Sequence, residues 1–259
     1  MHDYWKNASL SDWRRHVIRS IEISRHLITD RDQTFLEVTR ILNDAYLFLH
    51  KQRVSESPPS KDEHELEDLF WGLQRSSTVI DSIVGSACVA LMRWMEKVKW
   101  ITIGEFILLE TKFPFENDQE PEEKTRKRHH CSITQGFGSR VPGKETCGAL
   151  GVWQIGNIFK HGGGTNLHKG TAKVAKELGF SSGMLRISEN ESEEVLREMS
   201  LKEVSYTLEP DSIERMALQL GCGPDPGLMP LYDHVESWQK AIEQKLLVEL
   251  GVLRALEKN

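Results

Sequence analysis

An all-α fold, an antiparallel helical bundle with a long irregular loop, is what this sequence predicts, and three observations predict it. Apolar residues recur three or four positions apart through most of the first hundred residues. A second strongly amphipathic stretch closes the chain at 233–257. No sustained alternation of period two competes with either, apart from a short β-like run at Trp100–Ile103.

The first helix is read from Trp13, Val17, Ile21 and Ile28, then from Phe35, Val38, Leu42, Ala45 and Leu49. Thr29-Asp30 can cap a new start, so a break is expected there. The helix should stop before Ser55-Glu56-Ser57-Pro58-Pro59-Ser60, because proline removes a donor and opposes helix at the residue before it. The clearest period follows: Leu66, Leu69, Leu73, Ser77, Ile80, Val84, Ala87, Leu91, Trp94, Val98 and Ile101 form one stripe. It suits the spine of a bundle, with bends expected at Gly72, Ser76-Ser77 and Gly85, and an exposed part of it is expected to drive homodimerisation.

Lys112-Phe113-Pro114 marks a boundary. Residues 116–123 are acidic and 124–130 basic, and no helical period returns before about Gly148, so 113–148 reads as a mobile charged loop. Residues 1–112 and 149–259 are then two halves of one domain. A short helix from Ala149 should end near Lys160-His161, where three glycines follow. Thr171 is expected to cap the next helix, with Val174, Ala175 and Leu178 inward and Gly179 as its stop. Residues 191–202 and 211–220 read as two more helices, the second stopping at Gly221, and Cys222–Gly227 reads as a rigid turn. The last helix, from Asp233, carries Val235, Trp238, Ile242, Leu246, Leu250, Leu253 and Leu256, and should dock on the first half.

Composition narrows the function classes. The apolar fraction of 39% and charged fraction of 28% are those of a folded protein, so global disorder is not expected. A formal charge of -6 argues against a chain coated with nucleic acid or held on an anionic membrane, while leaving room for a local basic groove. The N-terminus MHDYWKNASL has no apolar signal region, and the apolar runs near Val79–Met92 and Ile101–Leu109 are short and carry Asp81 and Glu105. No membrane association is expected, and the scattered Cys88, Cys131, Cys147 and Cys222 suit free thiols in a cytoplasmic protein.

The chemistry-bearing residues concentrate at Asn157-Ile158-Phe159-Lys160-His161. Asn157 and His161 are four apart and share a helix face. An imidazole there can move a proton, the amide can orient it or a phosphate, and Lys160 can neutralise an anion. The plainer reading is a C-terminal cap, with lysine and histidine over the last carbonyls and glycine following. Lys124, Arg126, Lys127, Arg128 and Arg140 are the candidate phosphate-contacting cations, set against a self-compensated charged loop as the alternative. His161–Thr171 is glycine-rich and precedes a helix, but it lacks the order and the preceding strand of a P-loop. His129, His130, Cys131 and Cys147 are the only cluster of zinc-ligand types; without a CxxC pair, no metal and no cofactor is expected.

The string GNIFKH, with Trp153 before it and TAKVAKELGF after it, resembles the HEPN superfamily over about 151–180. In those helical domains a late helix carries a polar residue, often Asn, four before a His, commonly with Phe-Lys ahead of that His. The resemblance implies a helical, dimeric fold. Active members are metal-independent endoribonucleases that pair an Arg with a His four to six residues after it. Carried over by position, Asn157 and His161 match, whereas the Arg position falls on Gly156. Without a guanidinium the scissile phosphate loses its bidentate partner. The expected function is a binding or regulatory module for RNA or a nucleotide with a degenerate RNase site. The alternatives are an endoribonuclease using His161 and a helical scaffold that binds a partner protein.

Overall fold

The computed structural model describes residues 9–55, 63–110, 133–161, 169–180 and 212–256, and their fold is all-α. Among the described residues six longer helices follow one another: α1 (Leu10–Ser55), α2 (Glu63–Glu110), α3 (Gly148–Lys160), α4 (Lys169–Glu177), α5 (Ser212–Gln219) and α6 (Met229–Leu256), with a single helical turn at 133–135 before α3. The predicted helix at 191–202, most of the charged loop and the glycine run at 162–164 lie outside the described residues.

Helix α1 is continuous for 46 residues, so the expected break at Thr29-Asp30 does not occur. It starts on a capping pair in which the Ser9 hydroxyl and the Asp12 carboxylate bond each other's backbone amides. The bonds that the Asp12 carboxylate accepts from the Ser9 hydroxyl, at 2.6 Å, and from the Ser9 amide hold its carboxyl below its ordinary value. Helix α1 ends at Ser55, where the proline-containing stretch was expected to stop it.

Helix α2 also runs unbroken, for 48 residues and about 70 Å. None of the three expected bends interrupts it. Gly85 serves close packing instead: a Cβ there would lie 2.9 Å from that of Phe159 and overlap its ring. The β-like run at Trp100–Ile103 is helical, and the Thr102 hydroxyl returns to the Val98 carbonyl at 2.8 Å, a bond that helix geometry permits.

The long stripe is the core. Ile80, Val84, Ala87, Leu91, Trp94 and Val98 are all buried, with α2 packed against α1, α3, α5 and α6. The chain itself covers this part of the stripe. Helices α1 and α2 are antiparallel, since Phe35 stacks on Trp94 near one end and Arg53 reaches Ser77 near the other. The segment Arg75–Trp100 is long and apolar enough to cross a membrane by length and composition, yet half of it is buried inside the bundle.

Residues 133–147 are packed rather than free of the core: Ile133, Thr134, Val141 and Thr146 are buried. The Trp238 indole donates to the Ile133 carbonyl at 2.8 Å, tying this stretch to α6. Helix α4 begins at Lys169, so Thr171 is a buried residue of its first turn and not its cap. Its end is the expected one. Gly179 takes a φ of 81°, and the amides of Gly179 and Phe180 return to the Lys176 and Ala175 carbonyls. Helix α5 closes likewise at Gly221, at φ 88°. Helix α6 starts four residues before the predicted Asp233, and its Val235, Trp238, Ile242 and Leu246 are buried.

Candidate functional site

The helix that carries the HEPN-like string is the innermost of the short helices. Small residues let its neighbours close on it. A Cβ on Gly151 would meet Leu220 at 2.7 Å, and one on Gly148 would overlap the His234 ring. Gly156 lies against the α2 backbone: an added Cβ would sit 3.1 Å from the Cys88 carbonyl oxygen, 3.2 Å from its carbon and 3.4 Å from Met92 Sδ. Gly85 of α2 and Phe159 of α3 complete the contact one turn further on. Glycine at 156 is therefore a packing choice, and the position has no room for a guanidinium side chain.

At its N-terminus α3 is capped by Cys147, which is extended at φ −78° and ψ 150°. Its sulfur accepts from the Leu150 amide at 3.4 Å and lies 3.5 Å from the Thr134 carbonyl, to which the thiol donates. Burial pushes the Cys147 thiol up despite the amides, so it is a protonated cap and not a nucleophile. The other members of the zinc-type cluster, His129, His130 and Cys131, lie outside the described residues. Among the described residues no group of three or more His, Cys, Asp and Glu is placed to hold a metal ion.

At the other end His161 is the C-cap, at φ −93° and ψ 9°, and its amide returns to the Asn157 carbonyl at 3.1 Å. The His161 and Lys160 side chains are exposed, and Asn157 is half-buried one turn earlier. The three candidate residues are thus together at one helix end, in the arrangement a cap requires. Arg140 is exposed and bridged through its backbone to Cys147, at the opposite end of α3. About 20 Å of helix separates it from His161. Lys124, Arg126, Lys127 and Arg128 lie outside the described residues.

Two buried polar clusters were not singled out from the sequence. Glu214, at the start of α5, accepts from Arg53 at 3.2 Å, and its second oxygen lies 3.0 Å from His50 Nε2. That approach is close but poorly directed as a hydrogen bond, so it is an ion pair when the imidazole is protonated. The Glu214 amide donates to Asp81 at 2.8 Å, and Arg53 also donates to Ser77 at 3.1 Å. The Tyr46 ring lies 4.5 Å from the His50 ring, and burial raises its phenol far above the ordinary range. This network joins α1, α2 and α5. The second cluster is Lys99, 1% exposed, which donates to Thr134 at 2.5 Å and lies 4.2 Å from the centre of the Trp153 ring. It fastens the 133–147 stretch to α2.

An open cleft of about 570 Å³ lies between the end of α5 and the first turns of α6, lined among others by Ser139, Pro142, Gln219, Asp233, His234 and Ser237. His234 Nε2 lies 3.0 Å from the Leu220 carbonyl, to which it donates. The cleft contains none of the residues expected from sequence.

Comparison with family models, with curated proteins and with solved structures finds no match to this chain. The HEPN resemblance accordingly rests on its own residues.

Proposed function

We propose that this chain is a catalytically silent, HEPN-like helical module that binds RNA or a nucleotide in a regulatory role. The observation that carries the reading is Gly156, seated on the Cys88 carbonyl where an active enzyme of the resembled family needs arginine. Phosphoryl chemistry on RNA depends on positioned positive charge, and an exposed histidine with a neighbouring lysine supplies little of it. Binding is a lesser demand. Lys160 at the end of α3, Lys173 and Lys176 on α4, and Arg140 near the start of α3 are exposed cations among the described residues. Lys173 is shared with Glu145 at 3.6 Å, a surface pair that competing phosphates can displace.

Fluorescence anisotropy with labelled single-stranded RNA, and in parallel with labelled nucleotides, tests this. Saturable binding that weakens steeply with salt and with Lys160→Ala/Lys176→Ala supports the reading. No binding at low salt overturns it. One observation favours a second reading, a helical scaffold that binds protein: His161 is exposed and its backbone performs the cap, as a purely structural residue would. That reading stands if neither RNA nor nucleotide binds. The homodimeric and cytoplasmic expectations belong equally to both.

A further inference from the structure

The buried face of α1 is defined by Thr39, Tyr46 and His50. On the opposite side Val38, Ile41, Ala45 and Phe48 follow one another at intervals of three, four and three, the a/d spacing of a coiled-coil seam. Ile41 is 67% exposed, Phe48 60% and Val38 36%, and Ala45 is half-buried. Scattered single apolar residues on a surface need no explanation. A seam in register over three turns is a different feature, because each member faces the same way.

We propose that this face is where a second copy of the chain docks, its α1 antiparallel to the first about a two-fold axis near Asn43-Asp44. Size and charge both select that arrangement. Antiparallel copies place Phe48 opposite the partner's Val38 and Ile41 opposite the partner's Ala45, so each larger side chain meets a smaller one. A parallel pair would set the two copies of Phe48 abreast and leave a gap between the two of Ala45. The exposed charges on one flank of the seam are Glu37, Asp44 and Lys51, seven residues apart. Antiparallel, Glu37 faces the partner's Lys51 at both ends of the seam, and Asp44 meets the partner's Asp44 at the axis. That is two opposite pairs against one like pair. In a parallel pair that flank would face the partner's Leu42 and Leu49 instead, and neither opposite pair would form. Glu37 also holds Arg40 at 2.8 Å within its own helix, a surface pair that leaves its second oxygen for the lysine. The inference does not depend on RNA or nucleotide binding.

Sedimentation velocity of the full chain, from low to high micromolar concentration, tests it. A reversible monomer–dimer equilibrium is expected. Ile41→Glu, an exposed substitution whose fold is checked by circular dichroism, should raise the dissociation constant by about a hundredfold or more. Glu37→Lys and Lys51→Glu should each weaken the dimer roughly tenfold, and the two together should restore it. Asp44→Asn should tighten it. A chain that stays monomeric at the highest concentration overturns the proposal, and so does a dimer indifferent to Ile41→Glu. If the double charge exchange fails to rescue, the antiparallel pairing is wrong.

Discussion

Substituting Gly156 probes the packing on which the functional reading rests. In Gly156→Ala the new methyl sits 3.1 Å from the Cys88 oxygen and 3.2 Å from its carbon, both backbone atoms of α2. A flexible side chain could swing away; a helix backbone must move as a unit. Overpacking of this kind costs about 1–3 kcal/mol. Alanine in a helix interior returns about 1 kcal/mol relative to glycine. The net expectation is a loss of about 0–2 kcal/mol, a fall in melting temperature of no more than about 8 °C at roughly 2–4 °C per kcal/mol. Gly156→Arg is the sharper perturbation. It forces several more atoms and a charge between α2 and α3, which should cost more than about 4 kcal/mol, in the range reserved for strain and buried unpaired charge. Urea unfolding followed by tryptophan fluorescence and by circular dichroism measures both, with an unchanged slope showing that the same transition is compared. A Gly156→Arg protein as stable as the parent would refute the reasoning, because position 156 would then be open to a guanidinium.

Three further outcomes follow from the titratable groups. Glu214→Ala leaves Arg53 and His50 without their shared carboxylate and should cost about 3 kcal/mol in urea unfolding, whereas Arg53→Met/Glu214→Leu should cost less than the single change; a double loss equal to the sum of the two single losses would show that the pair is not coupled. The thiols give an alkaline limit: burial holds the folded Cys222 up at about 12 and Cys88 and Cys147 above 9.0, so their contribution is intact below 9.0 and is lost as pH rises through the interval. Each should remove up to about 1.4 kcal/mol per pH unit between that value and its own raised folded value and nothing more beyond it, and none should react with iodoacetamide in the native protein at neutral pH. Glu177 is held below its ordinary 4.5 chiefly by the Thr146 hydroxyl bond at 2.6 Å, with the Thr146 and Glu145 amides adding to it. That stability is full above 4.5 and is lost as pH falls through the depressed value; amide exchange at Thr146 should accelerate there in the parent but be pH-independent in this sense in Glu177→Gln.

Much of the architecture was legible because it is written in local spacing. The α2 stripe, the stops at Ser55, Gly179 and Gly221, and the inward face of α6 all follow from periods and turn chemistry within a few residues of each other. What failed was the weighing of weak local signals against tertiary packing. Thr29-Asp30 can start a helix, yet α1 continues through it; Gly85 could bend α2, yet it receives Phe159 from a helix more than sixty residues away. The run Trp100–Ile103 has β-type residues, but Lys99 and Thr102 are both held within the bundle. Thr171 illustrates the same limit at a helix end.

The site was less legible still. The string at 156–161 identified a helix terminus, and the structure places Asn157, Lys160 and His161 there together. That Gly156 is closed by Cys88 depends on a contact spanning 68 positions, which no local pattern reveals. Glu214 lies more than 160 residues from His50 and Arg53, and nothing in 212–216 marks it as a bridge. The spacing His50-x-x-Arg53 and the acid Asp81 inside an apolar stripe were the available signals, and each is commonplace alone. Asn43, which accepts from the Leu228 amide at 2.7 Å, is a further long-range tie of this kind.

The most direct test of catalytic silence is incubation of the purified chain with end-labelled single-stranded RNA in the presence of a metal chelator, read on a sequencing gel beside His161→Ala. Both lanes are expected to match a no-protein control. Fragments produced by the parent and absent with His161→Ala would contradict it.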